Sequence, residues 1–84
     1  MTFHRLKNIM PLPDFLLKAE FLDGMAKIYD VKPLMKKIPV FQMLGYVHGL
    51  FEQVHVDTGG YGIIWNDEID LSCDELYENG KMIK

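Results

Sequence analysis

Eighty-four residues, 49% hydrophobic and 25% charged, with three His and one Cys, describe one domain near the size at which a single core only just offsets chain entropy. That composition excludes a disordered or low-complexity chain, an internal disulfide and a structural zinc site built on cysteines. The net charge of -3 is unevenly spread: residues 1–42 carry seven Lys/Arg against four Asp/Glu, and residues 43–84 carry two against eight, which predicts a charged contact face for a partner.

The opening "MTFHRLKNIM" has no continuous apolar segment, and nowhere do about 18 apolar residues follow one another, so neither a signal peptide nor a membrane span is expected and a cytoplasmic address follows. A first strand is predicted over residues 4–10, ended by a turn at "PLPD", because proline fixes φ and cannot donate to a ladder. In "FLLKAEFLDGMAKIYD", Phe15, Leu17, Ala19 and Phe21 alternate with Leu16, Lys18, Glu20 and Leu22, and Asp23-Gly24 is a favoured two-residue hairpin loop. That loop sets Glu20 opposite Lys27, Lys18 opposite Tyr29 and Phe21 opposite Ala26, with opposite charges meeting on the outer face.

Pro33, Pro39, Gly45 and Gly49 then punctuate the chain too closely for a long helix. Pro33 suits a helix start and Gly45 a helix end, which predicts one or two short helical turns. Their apolar residues, among them Leu34, Met35, Phe41, Leu44 and Phe51, are expected to cover an open sheet face. "VHVD" and "GIIW" flank "TGGY" as a second hairpin. Ser72 stands three residues before Glu75, the capping-box spacing, with Asp74 in the same first turn, so a last helix is predicted over about 73–79 with a stop at Asn79-Gly80. The whole chain, 1–84, is expected to be one α+β domain: a small antiparallel sheet of about five strands in two hairpins, with short helices in the middle and at the C-terminus and a frayed tail over 80–84.

The succession "MPLPDFLLKAEFLDG", "YDVKPLMKKIPVFQML" and "LFEQVHVDTGGYGIIWNDEIDLSCDELY" resembles the bacterial family catalogued as domain of unknown function 2442. The resemblance rests on the F-x-D-G of Phe21 to Gly24, the D-x-x-P-L of Asp30 to Leu34 and the closing W-x-x-x-I-D-L-S-x-D-x-L-Y, and runs from about residue 5 to residue 78. It implies a small α+β domain with an antiparallel sheet, no established activity, and genes lying beside that of another small uncharacterised protein, an arrangement suggesting toxin-antitoxin-like or regulatory pairs. Some members carry a following helix-turn-helix domain, which is not expected here because the chain ends at Lys84. "YVHG" at 46–49 departs from the polar helix-starting turn of the family.

The candidate chemistries are few. His4, His48 and His55 form no metal-ligand spacing, although His55 and Asp57 share a strand face and could begin a site, and the enzyme alternative would join them to Asp67, Glu68 and Asp70. An acid-rich turn is more simply a solvated one. Cys73 gains thiolate character from a helix N-terminus but loses it to Asp74 and Glu75, so it reads as a half-buried thiol. "GGYG" lacks the pattern of a phosphate cradle and is followed by a strand. Lys32, Lys36 and Lys37 form the only basic cluster, too few charges for strong nucleic-acid binding. Trp65 and Tyr77 are expected in or at the edge of the core. What remains is a non-enzymatic interaction or regulatory module, without cofactor or metal, binding a protein partner or a second copy through Asp67, Glu68, Asp70, Lys32, Lys36 and Lys37.

Overall fold

In the N-terminal half, two successive hairpins build a sheet whose inner face carries the alternating apolar residues of "LLKAEF". The computed structural model describes residues 4–83. Strands β1 (Leu6–Leu12), β2 (Leu16–Phe21) and β3 (Ala26–Asp30) pair antiparallel, and β7 (Lys81–Met82) joins the free side of β3. The second sheet, in the order β4-β5-β6, comprises β4 (His55–Val56), β5 (Gly62–Asn66) and β6 (Ile69–Ser72). Between them lie α1 (Lys32–Lys37) and α2 (Met43–Tyr46), with 3-10 turns at Pro39–Gln42 and Phe51–Gln53, and α3 (Cys73–Asn79) precedes β7. The α+β class with its hairpins and short helices is that expected; the described strands number seven in two sheets rather than about five in one. No helix among the described residues is long and apolar enough to cross a membrane.

Strand β1 runs on through Pro11, which pairs with Leu17; its sheet edge tolerates a residue without an N–H. Reversal is therefore delayed to Pro13-Asp14-Phe15, where Asp14 (φ 66°) and Phe15 (φ 57°) are both left-handed. Such a conformation costs a bulky L-residue about 1–2 kcal/mol. Tertiary contacts hold it: the Phe15 ring meets Phe51 edge-on at 5.2 Å, and the Val31 N–H donates to the Phe15 carbonyl at 3.1 Å.

The β2–β3 hairpin has the predicted position but not the predicted register. Glu20 lies opposite Ala26, Ala19 opposite Lys27, and Leu17 opposite Tyr29. The loop has three residues, Leu22 to Gly24, because the Phe21 N–H donates to the Met25 carbonyl at 2.9 Å and Gly24 takes φ 93°. A shift of one residue moves Lys27 to the inner face. There it is 8% exposed, its ammonium donates to the Tyr77 carbonyl, and it sits 3.9 Å from the Tyr77 ring centroid. The outer-face Glu20–Lys27 pair expected from the sequence does not form.

The middle segment covers the core as expected, with Phe41, Leu44, Leu50 and Phe51 buried. Gly45, expected to end a helix, instead lies inside α2, 3.0 Å from the Met35 side chain when given a Cβ. Trp65 is buried between Phe41 and Phe51, with ring centroids 6.1 and 6.3 Å away, and its indole N–H donates to the Phe51 carbonyl at 3.1 Å. The tail expected to fray carries β7, with Lys81 opposite Ile28 and Met82 opposite Lys27.

Candidate functional site

The "TGGY" loop turns the β4–β5 hairpin, with Gly59 and Gly60 at positive φ. Asp57 organises it: one carboxylate oxygen accepts from the backbone N–H groups of Tyr61 (3.0 Å) and Gly62 (3.2 Å). The loop is pinned to β1, since Arg5 donates twice to the Gly59 carbonyl and the Leu6 N–H donates to that of Gly60. Asp57 is thus committed to local structure. His55 is exposed, its Nδ1 3.0 Å from the Gln53 carbonyl.

After Trp65 the chain makes a further tight hairpin where only a solvated acidic turn is expected from the sequence. Asn66 pairs with Ile69, and the Asn66 side-chain oxygen accepts from the N–H groups of Glu68 and Ile69. Asp67 and Glu68 form the exposed tip of this hairpin. Asp70 is exposed on β6, opposite Ile64. Alternation of Asp70 and Leu71 puts the acid and the apolar side chain on opposite faces of this strand.

A groove of about 550 Å³ runs between β6 and α1. Leu34 of α1 and Ile38 just after it form one wall, Leu71 and Ser72 belong to the strand, and Ile63 and Tyr61 come from β5 and the loop before it. Asp57, Asp70 and Glu75 supply all of its charged lining. Three acids therefore border an apolar strip, favouring a ligand that offers both cationic and apolar groups. Of the acids singled out from the sequence, Asp57 and Asp70 reach this groove, and Asp67 and Glu68 are not part of its lining. The capping spacing of Glu75 and the core-covering position of Leu34 gave no sign of the groove; Ile38 joins it as the extended residue that follows α1.

The capping assignment holds in half. Ser72 Oγ accepts from the Glu75 N–H at 3.1 Å, whereas the Glu75 carboxylate turns away to accept from the Tyr29 hydroxyl at 2.7 Å. Burial, then this hydrogen bond and the charge of Glu75, push the Tyr29 hydroxyl well above the usual phenol range. Burial and the acids Asp74, Asp23 and Asp57 raise the Cys73 thiol to about 11. Cys73 is 2% exposed and is a poor nucleophile at neutral pH.

The basic cluster is divided by the fold. Lys32 Nζ lies 3.1 Å from the Asp14 carboxylate and 3.0 Å from that of Asp30, closing the β1–β2 turn onto the start of α1. Burial alone would raise Asp30; the Lys32 backbone N–H and ammonium outweigh it and hold the carboxyl below the usual range. Lys36 and Lys37 remain exposed in the last turn of α1. Among the described residues, no three of His, Cys, Asp and Glu are grouped so as to hold a metal ion.

No curated protein and no solved structure matches the chain. A family model described as protein of unknown function (DUF2442) matches residues 6–81, from the first residue of β1 to the first of β7. The chain therefore belongs to the DUF2442 family of proteins of unknown function.

Proposed function

We propose that this chain is a non-enzymatic protein-interaction module, one half of a small regulatory pair, that receives a basic partner in the groove between α1 and β6. The observation that carries this reading is the lining of the groove, in which Leu34, Ile38 and Leu71 supply an apolar strip and Asp57, Asp70 and Glu75 supply charge of one sign. Such a surface steers a cationic partner and rewards burial of its apolar side chains. The acidic C-terminal half of the chain extends the same field. Catalysis is not favoured, because His55 is held by a neighbouring carbonyl and Asp57 by loop amides, while Asp67 and Glu68 sit at a hairpin tip. A nucleic-acid reading is weakened too, since Lys32 is neutralised by Asp14 and Asp30.

Affinity capture from the native host, with Ile38→Asp plus Asp70→Lys as the comparison, tests the proposal. A stoichiometric basic partner retained by the parent chain and lost by the double variant is expected. Self-association is the second reading, favoured by exposed Lys36 and Lys37 on the helix that forms the opposite wall; light scattering of the same two proteins separates it. A monodisperse monomer that recovers no stoichiometric partner would remove both readings.

A further inference from the structure

Strand β6 is the edge of its sheet, and its hydrogen-bonding alternation is set by its neighbours. The Cys73 N–H donates to the Tyr61 carbonyl at 2.8 Å, and the Asp57 N–H donates to the Gly62 carbonyl at 2.9 Å. Tyr61 and Ile63 accordingly direct their backbone groups towards β6, and Gly62 directs its own towards β4. By the same alternation Leu71 faces β5, while the Asp70 N–H and carbonyl and the Ser72 N–H face outward, along the groove whose far wall is Leu34 and Ile38. Residues of α1 and of this unpaired edge thus line one groove, a setting in which extended peptides add to sheets.

We propose that the partner docks as an added β-strand on β6, through an extended segment in which basic and apolar side chains alternate. This deepens the docking reading above and depends on it. Main-chain bonds to Asp70 and to the Ser72 N–H set the register. Period-two alternation then carries one row of side chains towards Leu71, Leu34 and Ile38 and the other towards the Asp70 side, so the pattern of the partner follows from that of β6. The occupant is basic because the charged lining consists of Asp57, Asp70 and Glu75.

The probe is a doubly blocked heptapeptide alternating lysine and valine, compared with its analogue N-methylated at every second residue, which keeps the side chains but cannot complete a ladder. Fluorescence anisotropy reports binding to the full chain, and amide hydrogen exchange reports Asp70 and Ser72. The unmodified peptide is expected to bind, to slow exchange at both amides, and to lose about tenfold or more in affinity on N-methylation. Asp70→Pro, which removes an outward N–H and leaves the β5 ladder intact, is expected to cause a similar loss. Equal binding by the N-methylated peptide overturns strand addition while leaving the groove as a docking face. Failure of both peptides to bind, with unchanged exchange at Asp70 and Ser72, overturns the docking reading as well.

Discussion

Gly62→Ala is the sharpest test of how β5 holds β6 and hence the groove. A Cβ at residue 62 would stand 2.6 Å from the Leu71 carbonyl oxygen and 3.3 Å from an Asp57 carboxylate oxygen, where ordinary contact begins near 3.4 Å. The closer neighbour is backbone in the β5–β6 ladder, so no rotamer change relieves it and the edge strand must move by about 0.8 Å. Overpacking of this kind costs about 1–3 kcal/mol. Restriction of the unfolded chain by alanine returns about 0.4–1 kcal/mol. A net loss of about 1–2 kcal/mol corresponds to a fall in Tm of roughly 4–16 °C for a domain of this size. Thermal unfolding followed by the fluorescence of the single tryptophan measures it. Amide exchange should also quicken selectively at Leu71 and Cys73, whose N–H groups face β5. A variant within about 0.5 kcal/mol of the parent, with exchange on β6 unchanged, would refute this account of the strand's position.

Trp65→Phe should lose about 1–3 kcal/mol in urea unfolding, because the Phe51 carbonyl loses its indole donor at a buried position; no loss would show that the bond contributes nothing. With its thiol raised from 9.0 to about 11, Cys73 should resist a disulfide reagent at pH 8 in the native state and react rapidly in urea; stoichiometric labelling of the native protein within the mixing time would contradict the burial. The same shift has a sign: a raised folded pKa contributes stability below pH 9 that is lost as pH rises towards 11, so Cys73→Ala should flatten the decline in stability across that window relative to the parent. Asp30 works in the opposite direction. Its lowered pKa contributes stability above the ordinary carboxyl range that is lost as pH falls through the folded value, so Asp30→Asn should flatten the acid limb, and an unchanged limb would count against the Lys32 clamp.

Local chemistry made much of the fold legible in advance. Alternation in "LLKAEF" and the loop at Asp23-Gly24 located the β2–β3 hairpin, and "TGGY" located the β4–β5 hairpin. Ser72 announced the start of α3 because a side-chain cap needs only its own first turn. The register of β2–β3 was not legible to one residue, since two- and three-residue loops both accept a glycine at positive φ; yet that choice carries Lys27 from the outer face to the Tyr77 ring. Strand β6 was hidden because "NDEID" is acidic and short, and what makes Asn66 a turn residue is a side-chain bond to Glu68 and Ile69.

The α+β class, the positions of two hairpins and the last helix, and the uneven charge of the two halves can be read along the chain, because each depends on near neighbours. Which charges remain free and which acids meet apolar walls depends on how distant segments pack. Lys32 is consumed by Asp14 and Asp30, Asp57 is tied to the loop it closes, and Asp70 joins the same groove as Asp57, opposite a helix more than thirty residues away. Such groupings follow from how two sheets and a helix pack, and packing is set by the burial of Leu17, Ile63, Ile69 and Leu76 rather than by the spacing of the charges it brings together.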